Sequence, residues 1–255
     1  MYISCEISNG LGNRFFQYAA MLGYAEKYGH TPVFVKEWIK GNESHPGPCD
    51  IMQFFPNIPI LEKLDTYETI QERHENAFTY MPLPNIQKNV KLIGCFQSEQ
   101  YFPTYRIESP LIQSKGIYTP TIFLHVRRGD FLIPELRHHK VDLTKYYRYA
   151  LEALAEQTSN VIVCSDDIQW SKENLPKEYP FVKYWIWFEG NNLETLQAMS
   201  QCRYGGICAN STFSWWGAYW NTSPEKKIIM PNTWGYPPLP KATDVYPKQA
   251  IVFPI

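Results

Sequence analysis

Two adjacent arginines, Arg127 and Arg128, are the residues of this 255-residue sequence best suited to bind a substrate. They follow the apolar run 121–126 and precede Gly129 and Asp130. A guanidinium offers a planar fork of N–H donors that fits phosphate oxygens two at a time, and it stays charged at any working pH. Two such groups side by side predict a site for a diphosphate. Asp130 could hold one arginine in place or take part in the chemistry itself.

The run 121–126 must position this arginine turn. Its β-branched and aromatic residues predict a buried strand, and ligands of open α/β sheets bind beyond the carboxyl ends of the strands. Gly129 either turns the chain with a positive φ or lets a ligand approach the backbone. The alternative is a strand that ends in a solvated charged turn. Arginines pinned by carboxylates, or turned away from any hollow, would count against the diphosphate hypothesis.

Two further apolar runs, 160–164 and 204–209, also end in polar residues. The residues that follow them are Ser165, Asp166, Asp167, Asn210, Ser211, Thr212, Phe213 and Ser214. Together with His125 they would line one edge of the predicted sheet, where a nucleotide would bind. The alternative for the two aspartates is a pair at a helix N-terminus, stabilised by the helix dipole. Trp215 and Trp216 are predicted to pack in the core.

A glycine loop near the N-terminus connects the predicted strand 2–7 to a predicted helix that ends at Gly29. The loop and the helix start contain the predicted substrate-binding residues Asn9, Gly10, Gly12, Asn13 and Arg14. Free N–H groups and the positive end of the helix dipole favour an anion there. Asn13 and Arg14 are expected to be exposed. Glycines that only ease a tight turn are the alternative, because a third glycine of the dinucleotide-binding pattern is missing.

The order of predicted elements indicates an α/β protein with parallel sheets. After the arginine turn we expect a helix near 143–157 capped by Asp142, a strand at 181–188, a helix capped by Asn192 and a last strand at 226–230. Prolines punctuate residues 37–89, where we expect short helices and loops. The connection near residue 120 predicts two domains, 1–118 and 119–255.

Composition excludes several classes of protein. The net charge of −1 and pI near 6.6 argue against a nucleic-acid-binding protein, which is normally basic. The six cysteines have no zinc-ligand spacing, so we expect reduced thiols and a cytoplasmic location. The sequence contains no run of about 18 apolar residues, so it predicts no membrane-spanning helix. Peripheral association with a lipid-linked glycan is left open.

Three motifs resemble those of the α-1,2-fucosyltransferase family, glycosyltransferase family 11. They are Gly10–Asn13 with Phe16–Ala19, His125–Asp130, and Asn210–Trp216. The second motif is also similar to one in the α-1,6- and protein O-fucosyltransferases. The chain departs from the family at Asn9, where a glycine is usual, and at Arg14, where glutamine is common.

The resemblance implies a GT-B-like fold in which two Rossmann-type domains face each other across a cleft, with the acceptor side in the first domain and the donor site in the second. It implies inverting transfer of L-fucose from GDP-β-L-fucose to a galactoside hydroxyl of a glycan, in α-1,2 linkage and with no cofactor or metal. Arg127 and Arg128 would hold the β-phosphate side of GDP. Asp167 and residues 211–214 would contact the nucleotide, and Asn13 would lie near the fucose or the acceptor.

The catalytic base and several rival functions stay open. Asp130 and Glu135 are the candidate bases, and Glu135 is placed like a carboxylate proposed for this role in the related α-1,6 enzymes. The donor could be another GDP-deoxysugar. A metal-dependent phosphoesterase would use Asp130, Asp166 and Asp167 to bind Mg²⁺. A non-enzymatic sugar-nucleotide-binding or lectin-like module would bind its ligand without turnover.

Overall fold

The computed structural model describes residues 1–40, 51–112, 116 and 118–255. This part of the chain forms two compact units: Met1–Leu111 with Ala242–Pro247, and Ile112–Lys241 with Lys248–Ile255. Each unit contains a parallel sheet and helices, which confirms the α/β class with two Rossmann-type units. The expected domain boundary at 118/119 and the expected cleft stay predictions.

The first unit is built on a four-stranded parallel sheet. Its strands and helices are β1 (Tyr2–Cys5), α1 (Leu11–Tyr28), β2 (Thr31–Pro32), β3 (Phe34–Val35), α2 (Ile51–Phe54), β4 (Ile60–Leu61), β5 (Glu68–Gln71) and β6 (Val90–Ile93). The sheet has the order β2-β1-β6-β5, and β3 pairs with β4 separately. The glycine loop joins β1 to α1, so β1, loop and helix form the predicted unit.

Helix α1 is buried around its circumference rather than along one stripe. Phe15, Phe16, Met21 and most of their neighbours are inaccessible to solvent. The helix ends at Gly29, whose φ of 71° is in the left-handed region that glycine adopts without steric cost. α1 is therefore a central element of the first unit, and its start is held firmly in place.

Two predictions for the first unit are wrong. Residues 31–36 predict a single second strand, but the structure has two short strands there, β2 and β3. Within the expected helices and loops of 37–89, β5 joins the main sheet. Its residues are exposed or partly exposed, so the strand lacks the apolar run that would have indicated it. Residues 41–50 of that segment lie outside the described residues.

The second unit is built on a six-stranded parallel sheet. Its strands and helices are β7 (Ile122–Val126), α3 (Thr144–Leu154), β8 (Asn160–Ser165), α4 (Ile168–Glu178), β9 (Tyr184–Phe188), α5 (Asn192–Ser200), β10 (Gly205–Ile207), α6 (Thr212–Trp220), β11 (Lys227–Pro231) and β12 (Ala250–Phe253). The strand order is β12-β11-β10-β7-β8-β9. β7 is therefore central, which explains why all five of its residues are buried.

Both faces of β7 are covered. Ile122, Leu124 and Val126 pack in one core cluster with buried residues of α3 and α4. The alternate residue His125 points to the other face, where its ring lies 5.8 Å from that of Phe213 on α6. Helices on both faces are typical of a buried parallel sheet.

Helix starts and edge strands of the second unit differ from the predictions. Asp142 accepts a hydrogen bond from the Thr144 amide, but α3 begins after Leu143. Asn191, not Asn192, caps α5, because its side chain and that of Glu194 form a reciprocal capping box. The last strand is β12 rather than β11. β12 pairs at the edge of the sheet, and its four residues are apolar but exposed or partly exposed.

The five described cysteines are free thiols, and Cys49 lies outside the described residues. Burial raises the pKa of Cys95 and Cys202 to about 12, so both are protonated at neutral pH. Across the described ranges, no helix combines the length and the apolar character that crossing a bilayer requires.

Candidate functional site

The register of β7 and β8 brings the arginine turn next to two aspartates. Val126 is the register partner of Ser165 in the parallel ladder. The residues that follow these two strand ends therefore meet at one edge of the sheet. Arg127 and Arg128 contact Asp166 and Asp167 there, directly beyond the carboxyl ends of both strands.

Arg127 is bound to two carboxylates. Its Nη1 lies 2.5 Å from Oδ2 of Asp166, and its Nη2 lies 2.5 Å from Oδ1 of Asp130. The guanidinium also lies over the ring of Phe131, at 5.4 Å from the ring centroid. Asp130 thus holds an arginine in place, which is one of the two roles that the sequence allowed. These contacts fix the guanidinium plane of Arg127.

Arg128 is bound through a single side-chain nitrogen. Its Nε lies 3.0 Å from Oδ2 of Asp167, and its guanidinium carbon lies 3.8 Å from the ring centroid of Trp170. The backbone amide of Arg128 donates to Asp166 at 2.8 Å. Among the described residues, neither Nη group of Arg128 has a hydrogen-bond partner. The side chain is therefore held at its base while the paired donors at its tip remain available.

Gly129 is required by the close approach of a carboxylate. A Cβ at this position would lie 2.5 Å from Oδ2 of Asp166, the oxygen that binds Arg127. Gly129 does not have a positive φ, so the predicted turn conformation is wrong. The backbone of Gly129 is approached closely, as the other prediction requires, but the approaching group is the Asp166 side chain and not a ligand.

Two guanidiniums contact three carboxylates in the arginine turn, so this cluster has one more formal negative charge than positive charges. Pinning of the arginines by carboxylates, which counts against a diphosphate site, is thus observed in part, most clearly at Arg127. A guanidinium has five N–H donors, however, and the carboxylates use two on Arg127 and one on Arg128. Donors remain on both side chains, and Arg128 offers the more complete fork.

His125 lies beneath the arginine turn and is almost fully buried. Burial lowers its pKa to about 4, with a smaller opposing effect from Asp166. The ring is therefore neutral at pH 7. Its backbone carbonyl accepts a hydrogen bond from the hydroxyl of Tyr147. Its Nδ1 has no hydrogen-bond partner within the described part of the chain.

The residues after β8 hold the start of α4. Asp167 is the N-cap of this helix, and its Oδ1 accepts from the amide of Trp170 at 3.2 Å. The Asp167 amide donates to Oγ of Ser165 at 2.9 Å. Asp167 therefore lies at a helix N-terminus, as the alternative interpretation of the two aspartates predicted. Its other oxygen positions Arg128, so a capping role and a site role coexist.

The third strand end, after β10, is held by its own polar side chains. Asn210 donates to the carbonyls of His139 and Trp234. Ser211 caps α6 by accepting from the Phe213 amide, at 3.4 Å. Oγ of Ser214 donates to the Ser211 carbonyl. These contacts shape the turn, and a nucleotide contact by residues 210–214, Thr212 included, stays a prediction. Trp215 and Trp216 have 0% exposure, so the core prediction for them is correct.

The loop after the arginine turn contains the second candidate base. Glu135 is exposed in a 3-10 helix, Pro134–His139. His139 stacks on Phe131 with ring centroids 5.2 Å apart. Burial lowers the pKa of His139, and the neighbouring His138 lowers it further. The loop is thus connected to the arginine turn through stacked rings, while the Glu135 carboxylate points to solvent.

The glycine loop of the first unit is well ordered by local contacts. Asn9 has a φ of 65°, which glycine or asparagine accommodates, so asparagine can replace the usual glycine there. Gly10 is the N-cap of α1 and Gly12 is buried in its first turn. Oδ1 of Asn13 accepts from Nε2 of Gln97 at 2.7 Å. The expectation that Arg14 is exposed is wrong, because its exposure is only 5%.

Sequence reasoning missed several residues around these sites. Trp170 supports Arg128, Phe131 supports Arg127, and Gln17 donates to the Gly94 carbonyl and accepts from the Ser8 amide. An aromatic residue in the first turn after a capping aspartate is a signal that could have indicated Trp170. Gln17 lies within the motif Phe16–Ala19, but nothing in the sequence indicated its contact with Gly94, which is 77 positions away.

Across the described part of the chain, no three His, Cys, Asp or Glu side chains are grouped as ligands of a metal ion. The three aspartates of the rival phosphoesterase hypothesis instead bind arginines. The structure therefore offers no support for that rival.

Comparison with protein families identifies the chain. The family model "Glycosyl transferase family 11" matches residues 116–249, a range that contains all three strand ends of the second unit. This chain belongs to glycosyl transferase family 11. The resemblance of its motifs is thereby confirmed, and the protein is a glycosyltransferase.

Two curated relatives from Escherichia coli extend the similarity over nearly the whole chain. The "O-antigen biosynthesis glycosyltransferase WbnK" is 36% identical and covers 91% of this family 11 protein and 94% of the relative. An "Alpha-1,2-colitosyltransferase" is 28% identical, with 91% and 92% covered. Residues 1–111, which the family model does not include, therefore also have counterparts in known glycosyltransferases.

Solved structures of POFUT1 are also similar. The complex with GDP has a TM-score of 0.46 and 12% identity, covering 87% of this chain and 95% of that one. The complex with GDP-fucose has a TM-score of 0.47 and 12% identity, covering 88% and 96%. Similarity at this level is not evidence of a shared ligand.

Proposed function

We propose that this family 11 glycosyltransferase moves L-fucose from GDP-β-L-fucose to a galactoside hydroxyl of a glycan, forming an α-1,2 linkage with inversion. Because one relative is named an α-1,2-colitosyltransferase, colitose is the second donor sugar to test. The name of the other, an O-antigen biosynthesis glycosyltransferase, supports a bacterial O-antigen precursor as the acceptor. A lipid-linked acceptor would bring the protein to a membrane surface.

The observation that carries this proposal is the state of Arg128. Asp167 and Trp170 fix its guanidinium while both Nη groups have no partner among the described residues. A prepositioned fork at the carboxyl end of a central parallel strand is suited to two oxygens of a phosphate. Arg127, held by Asp130 and Asp166, would contribute its remaining donors and its charge.

In an inverting transfer, the bond from the anomeric carbon to GDP breaks while the acceptor oxygen attacks from the opposite face. Negative charge develops on the departing diphosphate, and fixed donors stabilise it without reorganising. Removing one such donor typically lowers the rate on the order of 10²–10³-fold. Because Asp167 and Trp170 orient Arg128, it is the residue from which we expect the largest contribution.

The acceptor hydroxyl must lose a proton, and we propose Glu135 as the base that takes it. General-base catalysis contributes roughly 10²–10⁴-fold. Asp130 is the alternative, but its Oδ1 binds Arg127, whereas Glu135 is exposed on the following loop. Glu135→Gln should therefore lower kcat by about 10²-fold and leave GDP binding unchanged. A larger effect of Asp130→Asn on kcat, with GDP binding intact, would assign the role to Asp130.

A panel of sugar nucleotides tests the proposed function. The protein is incubated with GDP-fucose, GDP-colitose, GDP-mannose and UDP-galactose, each with a β-galactoside acceptor, and products are identified by NMR. We expect an α-1,2-linked product from GDP-fucose or GDP-colitose only. Transfer from UDP-galactose, or a different linkage, would contradict the proposal. Binding of a GDP-sugar without turnover on any acceptor would support a non-catalytic module instead.

A further inference from the structure

Arg14 is a buried guanidinium that has no counter-ion in the described part of the chain. Its exposure is 5%, and its Nε and Nη2 atoms have no hydrogen-bond partner among the described residues. Burying a charged group without a partner is costly. A guanidinium does not avoid this cost by losing its proton, because it stays charged at any working pH. This is the arrangement expected of a site whose anion arrives with a ligand.

The position of Arg14 in α1 adds to this argument. Its amide donates to the Gly10 carbonyl in the first helical turn. Long helical side chains lean toward the helix N-terminus, so we expect the guanidinium to be directed toward the glycine loop. The first turn of α1 contains no acidic residue, and its N-cap Gly10 offers no side-chain acceptor. The free amides, the helix dipole and the guanidinium thus all favour negative charge at this place.

Gln97 is a second polar residue with an unsatisfied atom near the start of α1. Its Nε2 donates to Oδ1 of Asn13 at 2.7 Å, which places the amide beside the first turn of α1. Its Oε1 is buried and has no hydrogen-bond partner among the described residues. A buried acceptor of this kind fits a hydroxyl. A sugar phosphate or an acidic sugar carries both kinds of group, an anion of the kind Arg14 lacks and a hydroxyl of the kind Gln97 lacks.

We propose that Arg14 binds an anionic oxygen group, a phosphate or a carboxylate, on one of the two substrates of the transferase. The inference rests on the proposed function only for the choice of substrates. The diphosphate of the donor and the carboxylate of an acidic acceptor sugar share this chemistry. Two probes separate these sources, namely GDP for the donor and galacturonic acid for the acceptor.

The experiment measures binding of both probes by titration calorimetry to the full-length protein, Arg14→Gln and Lys27→Gln. Lys27 is the matched control, because it is a basic residue in the last turn of the same helix and is fully exposed. Loss of a charged hydrogen-bond pair predicts that Arg14→Gln weakens one probe by about tenfold or more, with Lys27→Gln unchanged. The weakened probe identifies the source of the anion.

A stability measurement separates a binding role from a structural one. Because Arg14 is buried and its Nε and Nη2 atoms have no partner among the described residues, Arg14→Met should have a thermal unfolding midpoint equal to or above that of the wild type. A lower midpoint for Arg14→Met, unchanged affinity of Arg14→Gln for both probes, or no binding of either probe to the wild type would each overturn the inference. If the wild type transfers the sugar and Arg14→Gln binds both probes as tightly as the wild type does, this inference is refuted and the proposed function stands.

Discussion

Replacing Arg128 with lysine tests whether a fork of donors, rather than a positive charge alone, is needed beyond β7. Lysine keeps the charge but presents a point ammonium, which cannot reproduce two parallel N–H···O bonds. A hydrogen bond that involves a charged group contributes about 1.5–3 kcal/mol. Each 1.36 kcal/mol corresponds to tenfold in rate, so we expect kcat to fall by about 10- to 10²-fold.

The fold should survive this substitution. The ion pair of Arg128 with Asp167 has side-chain exposures of 25% and 33%, and partly exposed pairs of this kind contribute roughly 0–1 kcal/mol. The free energy of unfolding of Arg128→Lys should therefore lie within about 1 kcal/mol of the wild-type value. A loss of activity would then report on the site and not on folding.

Arg148→Lys is the matched control for this experiment. Arg148 also pairs with a carboxylate, Glu178 at 3.1 Å, and lies over the ring of Tyr179 at 5.5 Å, but it is on α3, away from the three strand ends. Steady-state kinetics with saturating GDP-fucose should show a loss for Arg128→Lys only. Wild-type kcat in Arg128→Lys, or an equal loss in Arg148→Lys, would refute the reasoning.

Three further predictions follow from the same geometry. Gly129→Ala would put a Cβ 2.5 Å from the Asp166 carboxylate, so it should break the Arg127–Asp166 pair and lower kcat about tenfold or more; normal kinetics in the folded variant would contradict this. Burial lowers the pKa of His125 to about 4 from 6.5, so the unfolded chain binds a proton that the folded protein excludes. The free energy of unfolding should therefore be fully retained above about pH 6.5 and fall toward pH 4, and urea titrations should show a smaller decrease in His125→Gln. Transfer should persist after dialysis against EDTA, whereas an activity that is lost and then restored by Mg²⁺ would point to a required metal.

The second sheet was largely predictable because its strands are apolar runs with abrupt polar ends. β7 and β8 are buried, and the residues after them contact one another as the parallel arrangement requires. β5 was missed because it is an exposed edge strand without an apolar run, whereas β12 is a run of four apolar residues, Ala250–Phe253, that is too short to show a periodicity. Periodicity reports burial, so it identifies central strands and overlooks the edges that complete a sheet.

The residue types of the site were predictable, but their pairing was not. Arg127, Arg128, Asp166 and Asp167 were all candidates, yet nothing in the sequence indicated that one arginine binds two carboxylates while the other keeps a free fork. Such assignments depend on distances between residues 39 positions apart. Arg14 shows the same limit, because a basic residue at a helix start is normally exposed and only the tertiary packing reveals its burial.

A crystal structure with GDP tests the central claim most directly. The claim is that the guanidinium of Arg128 neutralises the diphosphate beyond β7. We expect both Nη groups of Arg128 to lie about 2.7–2.9 Å from phosphate oxygens, with Nε still bound to Asp167. GDP bound away from this turn, or an Arg128 whose Nη groups contact no phosphate oxygen, would contradict the account.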